Sequence, residues 1–283
     1  IKVLDVPGTR MYSSGIMEPF LSPMPRIVAH RGDSKHYPEN TLEAFLSAVA
    51  MGVDVIETDV HLTKDGELVI WHDQTLERNT DGFGLVDDHT LAELKSLDAG
   101  YTFSKDGGKT YPFRNKGIRI ALLSEALETC PHQRFNVDLK SKNPAIVDAF
   151  IQVVTASHAQ HRVLCASFHI EHLKRMRTLC PEILTSITTS EVMGYLIRYA
   201  LKILPSVLSK KRTTVFQVPI AQWGITVVTP RFIEEIHKRN GIIQVWTIND
   251  EATMRNLFAM GVDAIMTDDP ALALKAASSM NVT

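Results

Sequence analysis

A chain of 283 residues that is 45% hydrophobic and 7% aromatic has globular composition, which excludes disorder, a collagen-like fibre and a disulfide mini-scaffold. Lys and Arg total 30 against 32 Asp and Glu, and the formal net charge of -2 removes the electrostatic case for a nucleic-acid partner. Cys130, Cys165 and Cys180 are odd in number and lack C-x-x-C spacing, so they read as reduced core residues and not as a zinc site.

Residues 1–25 carry Pro7, Pro19, Pro23 and Pro25 without a continuous apolar run, and read as an N-terminal arm. From residue 26 to 283, short Val- and Ile-rich runs alternate with stretches of helical period, the pattern of βα units around a parallel sheet. The candidate strands are 26–30, 54–60, 67–71, 134–139, 162–167, 183–188, 213–218, 242–247 and 263–267. The strand at 67–71 follows its predecessor too closely for a parallel crossover, so it must return antiparallel. Asp65-Gly66 is a two-residue hairpin signal that pairs Lys64 with Glu67 and sets Asp59 opposite His72.

Removing that hairpin strand leaves eight βα units, which predicts an α/β fold of the TIM (β/α)8 type. Residues 74–117 fit no βα unit, hold a short helical run over 91–97, and are expected to form a small insertion over the barrel mouth. The 17 residues 192–208 are strongly apolar but contain Arg198, Lys202 and Pro205, and fall short of the roughly 20 that a membrane span needs. With Lys210-Lys211-Arg212 behind it, 191–212 reads as an amphipathic helix suited to peripheral contact with anionic lipid, or else as a helix packed between neighbours or in a dimer. The expected location is cytoplasmic or peripheral to a membrane.

Charge interrupts the apolar strands at their carboxyl ends, the rim on which barrel enzymes build their sites. There stand His30-Arg31-Gly32, Glu57-Thr58-Asp59, His72-Asp73 and Asp138-Leu139-Lys140. Glu57 and Asp59 project from one face of their strand and repel unless a proton or cation lies between them. With Asp138 as a third oxygen donor, the set suits one divalent cation, Mg²⁺ or Ca²⁺, better than zinc. The other reading pairs these acids with Arg31 and Lys140 in a structural network. His30 and His72 are suited to general acid and base work, and Arg31 and Lys140 to binding a phosphate. Together these groups describe phosphodiester cleavage.

The same residues, with Pro38-Glu39-Asn40-Thr41, Lys64-Asp65-Gly66, Trp246-Thr247-Ile248-Asn249 and Thr267-Asp268-Asp269-Pro270, resemble in order the motif series of the glycerophosphodiester phosphodiesterase family, from about residue 26 to the C-terminus. The resemblance implies a TIM barrel with a small insertion and metal-dependent hydrolysis of a glycerophosphodiester to glycerol 3-phosphate and an alcohol. It also implies that Glu57, Asp59 and Asp138 hold the ion, that His30 and His72 form the acid–base pair, and that Arg31 and Lys140 contact the phosphate. Many family members carry Glu where this chain has Asp138. Glu39 is placed like a family residue near the substrate, and Trp246 stands where it could wall the pocket. Asn40 reads as a helix N-cap with Glu43 at N3, and Asp269-Pro270 as N-cap and N1 of the last helix. The apolar segment followed by Phe216-Gln217-Val218-Pro219 is similar to members with lysophospholipase D activity, which makes lysophospholipids the alternative substrate. An alternative of another class is a barrel that binds phosphorylated ligands without catalysis.

Overall fold

The computed structural model describes residues 19–24, 26–209, 212–222 and 224–279. The arm over 1–18 and the Lys210-Lys211 pair lie outside the described residues. Among the described residues there are eleven strands: β1 (Ile27–His30), β2 (Val55–Leu62), β3 (Leu68–Ile70), β4 (Arg134–Leu139), β5 (Val163–Ala166), β6 (Leu184–Thr185), β7 (Thr214–Val218), β8 (Ala221–Gln222), β9 (Ile225–Thr226), β10 (Gly241–Val245) and β11 (Ala264–Thr267). Eight run parallel in the order β6-β5-β4-β2-β1-β11-β10-β7, and a parallel bridge from Ser186 to Val215 joins the two ends of that order into a nearly closed barrel. The expected barrel is therefore the observed one, with β6 reduced to two residues. The small β8–β9 hairpin is too short for the sequence pattern to signal.

The helices are α1 (Leu42–Met51), α2 (Leu91–Ser96), α3 (Leu123–Thr129), α4 (Ala145–Ala156), α5 (Ile170–Leu179), α6 (Thr189–Ala200), α7 (Pro230–His237), α8 (Glu251–Met260) and α9 (Pro270–Ser278); α2 lies within residues 74–117, and the others form the layer outside the strands. Their starts follow local chemistry. Asp269 accepts from the Leu272 N–H with Pro270 at N1, as expected, and Thr229 with Pro230 repeats the device at α7. At α1 the expected cap is corrected by one residue. Thr41 accepts from the Ala44 N–H, which frees the Asn40 side chain for another task.

The hairpin also differs from expectation. Its register pairs Val60 with Ile70, His61 with Val69 and Leu62 with Leu68. The turn is thus three residues, Lys64-Asp65-Gly66, with Gly66 at φ 87°, and Trp71 N–H, not His72, meets the Asp59 carbonyl. A left-handed third position favours Gly in such a loop, which is why Asp-Gly occurs without forming a two-residue turn.

Strand alternation divides the core. Phe45, Phe135, Phe150 and Phe216 fill the layer between strands and helices, whereas Val28, Val55, Leu164, Leu184, Val215, Ile242 and Ala264 fill the lower barrel interior. Phe20 and Leu21 join that inner cluster, and Arg134 holds the segment by donating to the Phe20 and Pro23 carbonyls at 2.9 and 2.6 Å. Truncating one such buried Phe costs about 3–5 kcal/mol. Residues 74–117 build a separate small core from Leu76, Val86, Leu94 and Ala99 against Val69 and Trp71 of the hairpin.

The apolar segment 192–208 is not one helix. α6 ends at Ala200, and Lys202 turns the chain at φ 59°. Tyr195, Leu196 and Tyr199 pack on the core, Glu191 is drawn into the N-terminal capping box and an ion pair with Arg177, and Ile197, Leu201 and Ile203 stay 56, 63 and 61% exposed. Among the described residues no helix is long and apolar enough to cross a membrane.

Candidate active site

The turn after β1 fixes the first site residues. Arg31 stands at φ 58° and Gly32 at φ 83°, and a Cβ at Gly32 would lie 2.8 Å from the backbone and Cβ of Ala44. Only glycine fits there. The Arg31 N–H donates to both the Glu57 carbonyl, at 3.0 Å, and Glu57 Oε2, at 3.2 Å, so the strained turn is tied directly to β2. A left-handed Arg costs about 1–3 kcal/mol, which the surrounding bonds must offset.

Registry between β2 and β4 then places Asp59 beside Asp138 and Glu57 beside Asn136. The three carboxylates are buried and line one cavity of about 200 Å³ at the barrel mouth. Lys140 Nζ sits between two of them, 2.6 Å from Asp138 Oδ2 and 2.9 Å from Asp59 Oδ1. Arg31 Nε lies 3.3 Å from Asp59 Oδ2, in ion-pair range but out of line for a hydrogen bond. Burial raises the pKa of Glu57, reinforced by the neighbouring Asp59 carboxylate. Burial also raises Asp138, whereas for Asp59 it is outweighed by Lys140 and Arg31, which hold that carboxyl low.

Among the described residues no three His, Cys, Asp or Glu side chains are gathered closely enough to hold an ion. The donor set nevertheless fits a hard divalent cation. It consists of buried carboxylate oxygens facing one cavity, Asp138 Oδ1 has no hydrogen-bond partner, and Glu57 is destabilised as an anion in the absence of further positive charge.

Both expected histidines line this cavity. His30 Nδ1 lies 2.6 Å from Asp268 Oδ1, and His72 Nδ1 lies 2.5 Å from Asp73 Oδ1. An ionised carboxylate only accepts, so each Nδ1 carries a proton and each ring keeps Nε2 for chemistry. Burial pushes His30 down, but the Asp268 and Glu57 carboxylates outweigh it and hold the imidazole above its ordinary pKa. Burial dominates at His72, where Arg31 and Lys140 add to it against Asp59, so this ring is held below its ordinary pKa.

Trp246 also lines the cavity, whereas Glu39 does not. Glu39 is clamped by Arg31 Nη1 at 2.8 Å and by two nitrogens of Arg78, which also grips Asp73. The Glu39 carboxyl is held low by these guanidinium groups in spite of burial. It borders a neighbouring cleft with Ser34, Lys35 and Asn249. Residues 74–117 contribute no side chain to the cavity lining among the described residues, but Arg78 from this segment reaches the rim.

Sequence reading missed several supporting residues. Asn40 donates to Asp59 Oδ2 at 2.9 Å and accepts from Thr58 at 2.8 Å. Asp268 was hidden in a motif that reads as a helix cap, yet only Asp269 caps, and Asp268 binds His30, Asn249 and Ser34. The doubled Asp before Pro was the available signal. Arg78 stood in a segment with no strand to place it.

The model of the Glycerophosphoryl diester phosphodiesterase family matches residues 30–272. A glycerophosphodiester phosphodiesterase of Caldanaerobacter subterraneus is 34% identical over 250 residues, covering 86% of this chain and 94% of that protein. One from Bacillus altitudinis is 34% identical over 263 residues, covering 91% and 100%. Among solved structures, an Oleispira antarctica phosphodiesterase in complex with the product sn-glycerol-3-phosphate is 28% identical with a TM-score of 0.72, covering 91% of this chain and 98% of that one.

Proposed function

The chain belongs to the glycerophosphoryl diester phosphodiesterase family, and from that premise we propose how its residues cleave the ester. It is a phosphoric diester hydrolase that converts glycerophosphodiesters to glycerol 3-phosphate and an alcohol. What carries the residue assignment is one arrangement: two imidazoles, each backed by its own carboxylate, open onto the cavity that three buried acids and two cations share.

The free hydroxyl of the glycerol attacks phosphorus and gives its proton to His72 Nε2, the ring held unprotonated near neutral pH. His30, whose pKa the Asp268 and Glu57 carboxylates raise against burial, donates its proton to the departing alcohol. A cyclic phosphate results, and water opens it with the two rings in exchanged roles. Arg31 and Lys140 offset charge on the phosphate, Arg31 oriented by Glu39 and Lys140 by Asp138. Glu57, Asp59 and Asp138 would hold Mg²⁺ or Ca²⁺, and a bound divalent ion supplies Lewis-acid stabilisation of the phosphoryl oxygens.

Lysophospholipids are the less favoured substrates. Thr189 at the start of α6 lines the cavity, but the exposed Leu201 lies twelve positions further on, about 18 Å away along the helix. That apolar face suits peripheral membrane contact better than an acyl channel into the site. The test is release of glycerol 3-phosphate from glycerophosphocholine by metal-replete protein, with His30→Ala and His72→Ala each lowering the rate by roughly 10²–10⁴-fold. No product, or an undiminished rate in both variants, would overturn the assignment.

A further inference from the structure

The cavity is chemically divided. Every charged or titratable lining residue comes from β1, β2, β4 and the end of the hairpin, whereas the lining contributed by β5, β6, β7 and β10 contains no ionisable side chain. The floor of that neutral half departs from normal barrel packing. Inward positions alternate along β7 as Val215 then Gln217, and along β10 as Ile242, Gln244 then Trp246. Branched apolar residues ordinarily fill such interior layers. Here two glutamines face each other in register, and Gln217 Nε2 donates to Gln244 Oε1 at 2.9 Å.

Gln244 is 2% exposed, and burying an amide is unfavourable unless it is hydrogen-bonded. The pair uses one donor and one acceptor, and among the described residues the two side chains make no other hydrogen bond, so each amide retains capacity. A third amide points to the same need. Asn136 lines the cavity, is 3% exposed, and its Oδ1 has no partner. Gln217 borders the cavity directly, while Gln244 lies behind it and fixes its amide plane.

We propose that this amide floor reads hydroxyl groups of the substrate's neutral polyol portion, with Gln217 as a specificity-determining residue and Gln244 as its positioning residue. A hydroxyl is both donor and acceptor, which an amide matches without a charged partner. The polyol is either the glycerol itself or a polyhydroxy leaving alcohol. The inference rests on the phosphodiesterase reading above.

The experiment uses the full chain with saturating divalent ion and the variant Gln217→Leu, which removes the amide at the cavity wall and leaves Gln244 without its donor, with Gln217→Met as the second variant and thermal unfolding as the check on both. Three quantities are compared with wild type: affinity for glycerol 3-phosphate, affinity for inorganic phosphate, and kcat/KM on glycerophosphocholine and glycerophosphoinositol. Loss of one neutral hydrogen bond predicts a fall of about threefold to tenfold. A fall in glycerol 3-phosphate affinity with phosphate affinity unchanged supports the proposal with glycerol as the hydroxyl source. A fall confined to kcat/KM on the inositol ester supports it with the leaving alcohol as the source. Gln244→Leu should then shift the same quantity in the same direction, by less. Unchanged values in all three, or an equal loss of phosphate affinity, overturn the proposal. Wild-type protein that releases no glycerol 3-phosphate from either ester would instead overturn the phosphodiesterase reading.

Discussion

Replacing Asp268 by Ala isolates the support given to His30. The carboxylate lies 2.6 Å from His30 Nδ1, and among the described residues no other side chain is hydrogen-bonded to that nitrogen. A hydrogen bond to a charged group is worth about 1.5–3 kcal/mol. Because the Asp268 side chain is 36% exposed, solvent screening places the expected loss at the lower end, about 1.5 kcal/mol. At roughly 1.4 kcal/mol per decade, kcat/KM should fall about tenfold. The pH dependence gives a sharper test. Asp268 contributes to raising the His30 pKa in the folded protein, so the stabilisation it provides is fully present below the unfolded value of about 6.5 and is lost as pH rises through the folded value. Melting curves of the variant in chelator should therefore lie furthest below wild type at acidic pH and converge with it as pH rises. In the rate profile, the alkaline limb should move to lower pH because His30 would lose its proton sooner. A stability gap that widens with pH, or an alkaline limb that stays in place, would refute this account of His30.

Asn40→Gly keeps the residue's positive φ of 58° but removes the donor to Asp59, so calorimetric titration should show divalent-ion affinity falling by about tenfold or more. Gly32→Ala places a Cβ against the Ala44 backbone at φ 83°, and chemical denaturation should register a loss of about 2–4 kcal/mol together with impaired activity. Chelation should abolish release of glycerol 3-phosphate, and re-addition of Mg²⁺ or Ca²⁺ separately, read by rate and by a rise in melting temperature, identifies the ion that the acids take up. Arg78→Met leaves Glu39 to Arg31 alone and removes the guanidinium from Asp73, so the Asp73 carboxyl, which Arg78 and His72 draw down to about 2 against the effect of burial, should titrate at higher pH by NMR.

These predictions depend on contacts of very different range along the chain, and that range decides what could be read in advance. Apolar runs of period two ending in charge suffice to locate the strands, because alternation assigns a residue to the inside or outside of a sheet before any partner is known. The separation of the hairpin strand from the eight barrel strands follows likewise from crossover length. With the barrel given, charged strand ends must share a rim, so His30, Arg31, Glu57, Asp59, His72, Asp138 and Lys140 are legible as one cluster.

Tertiary structure alone decided the partners. His30 and Asp268 are 238 residues apart, and only closure of β1 against β11 brings them together. The Gln217–Gln244 pair depends on the register between β7 and β10. The hairpin slip by one residue and the shift of the α1 cap from Asn40 to Thr41 were local ambiguities in which neighbouring residues offered nearly equal turn and capping chemistry. In each, packing resolved the choice, since Asn40 could be drawn to Asp59 only once β2 lay beside it. Sequence thus specified which faces would meet, and the closed barrel specified which atoms on those faces did.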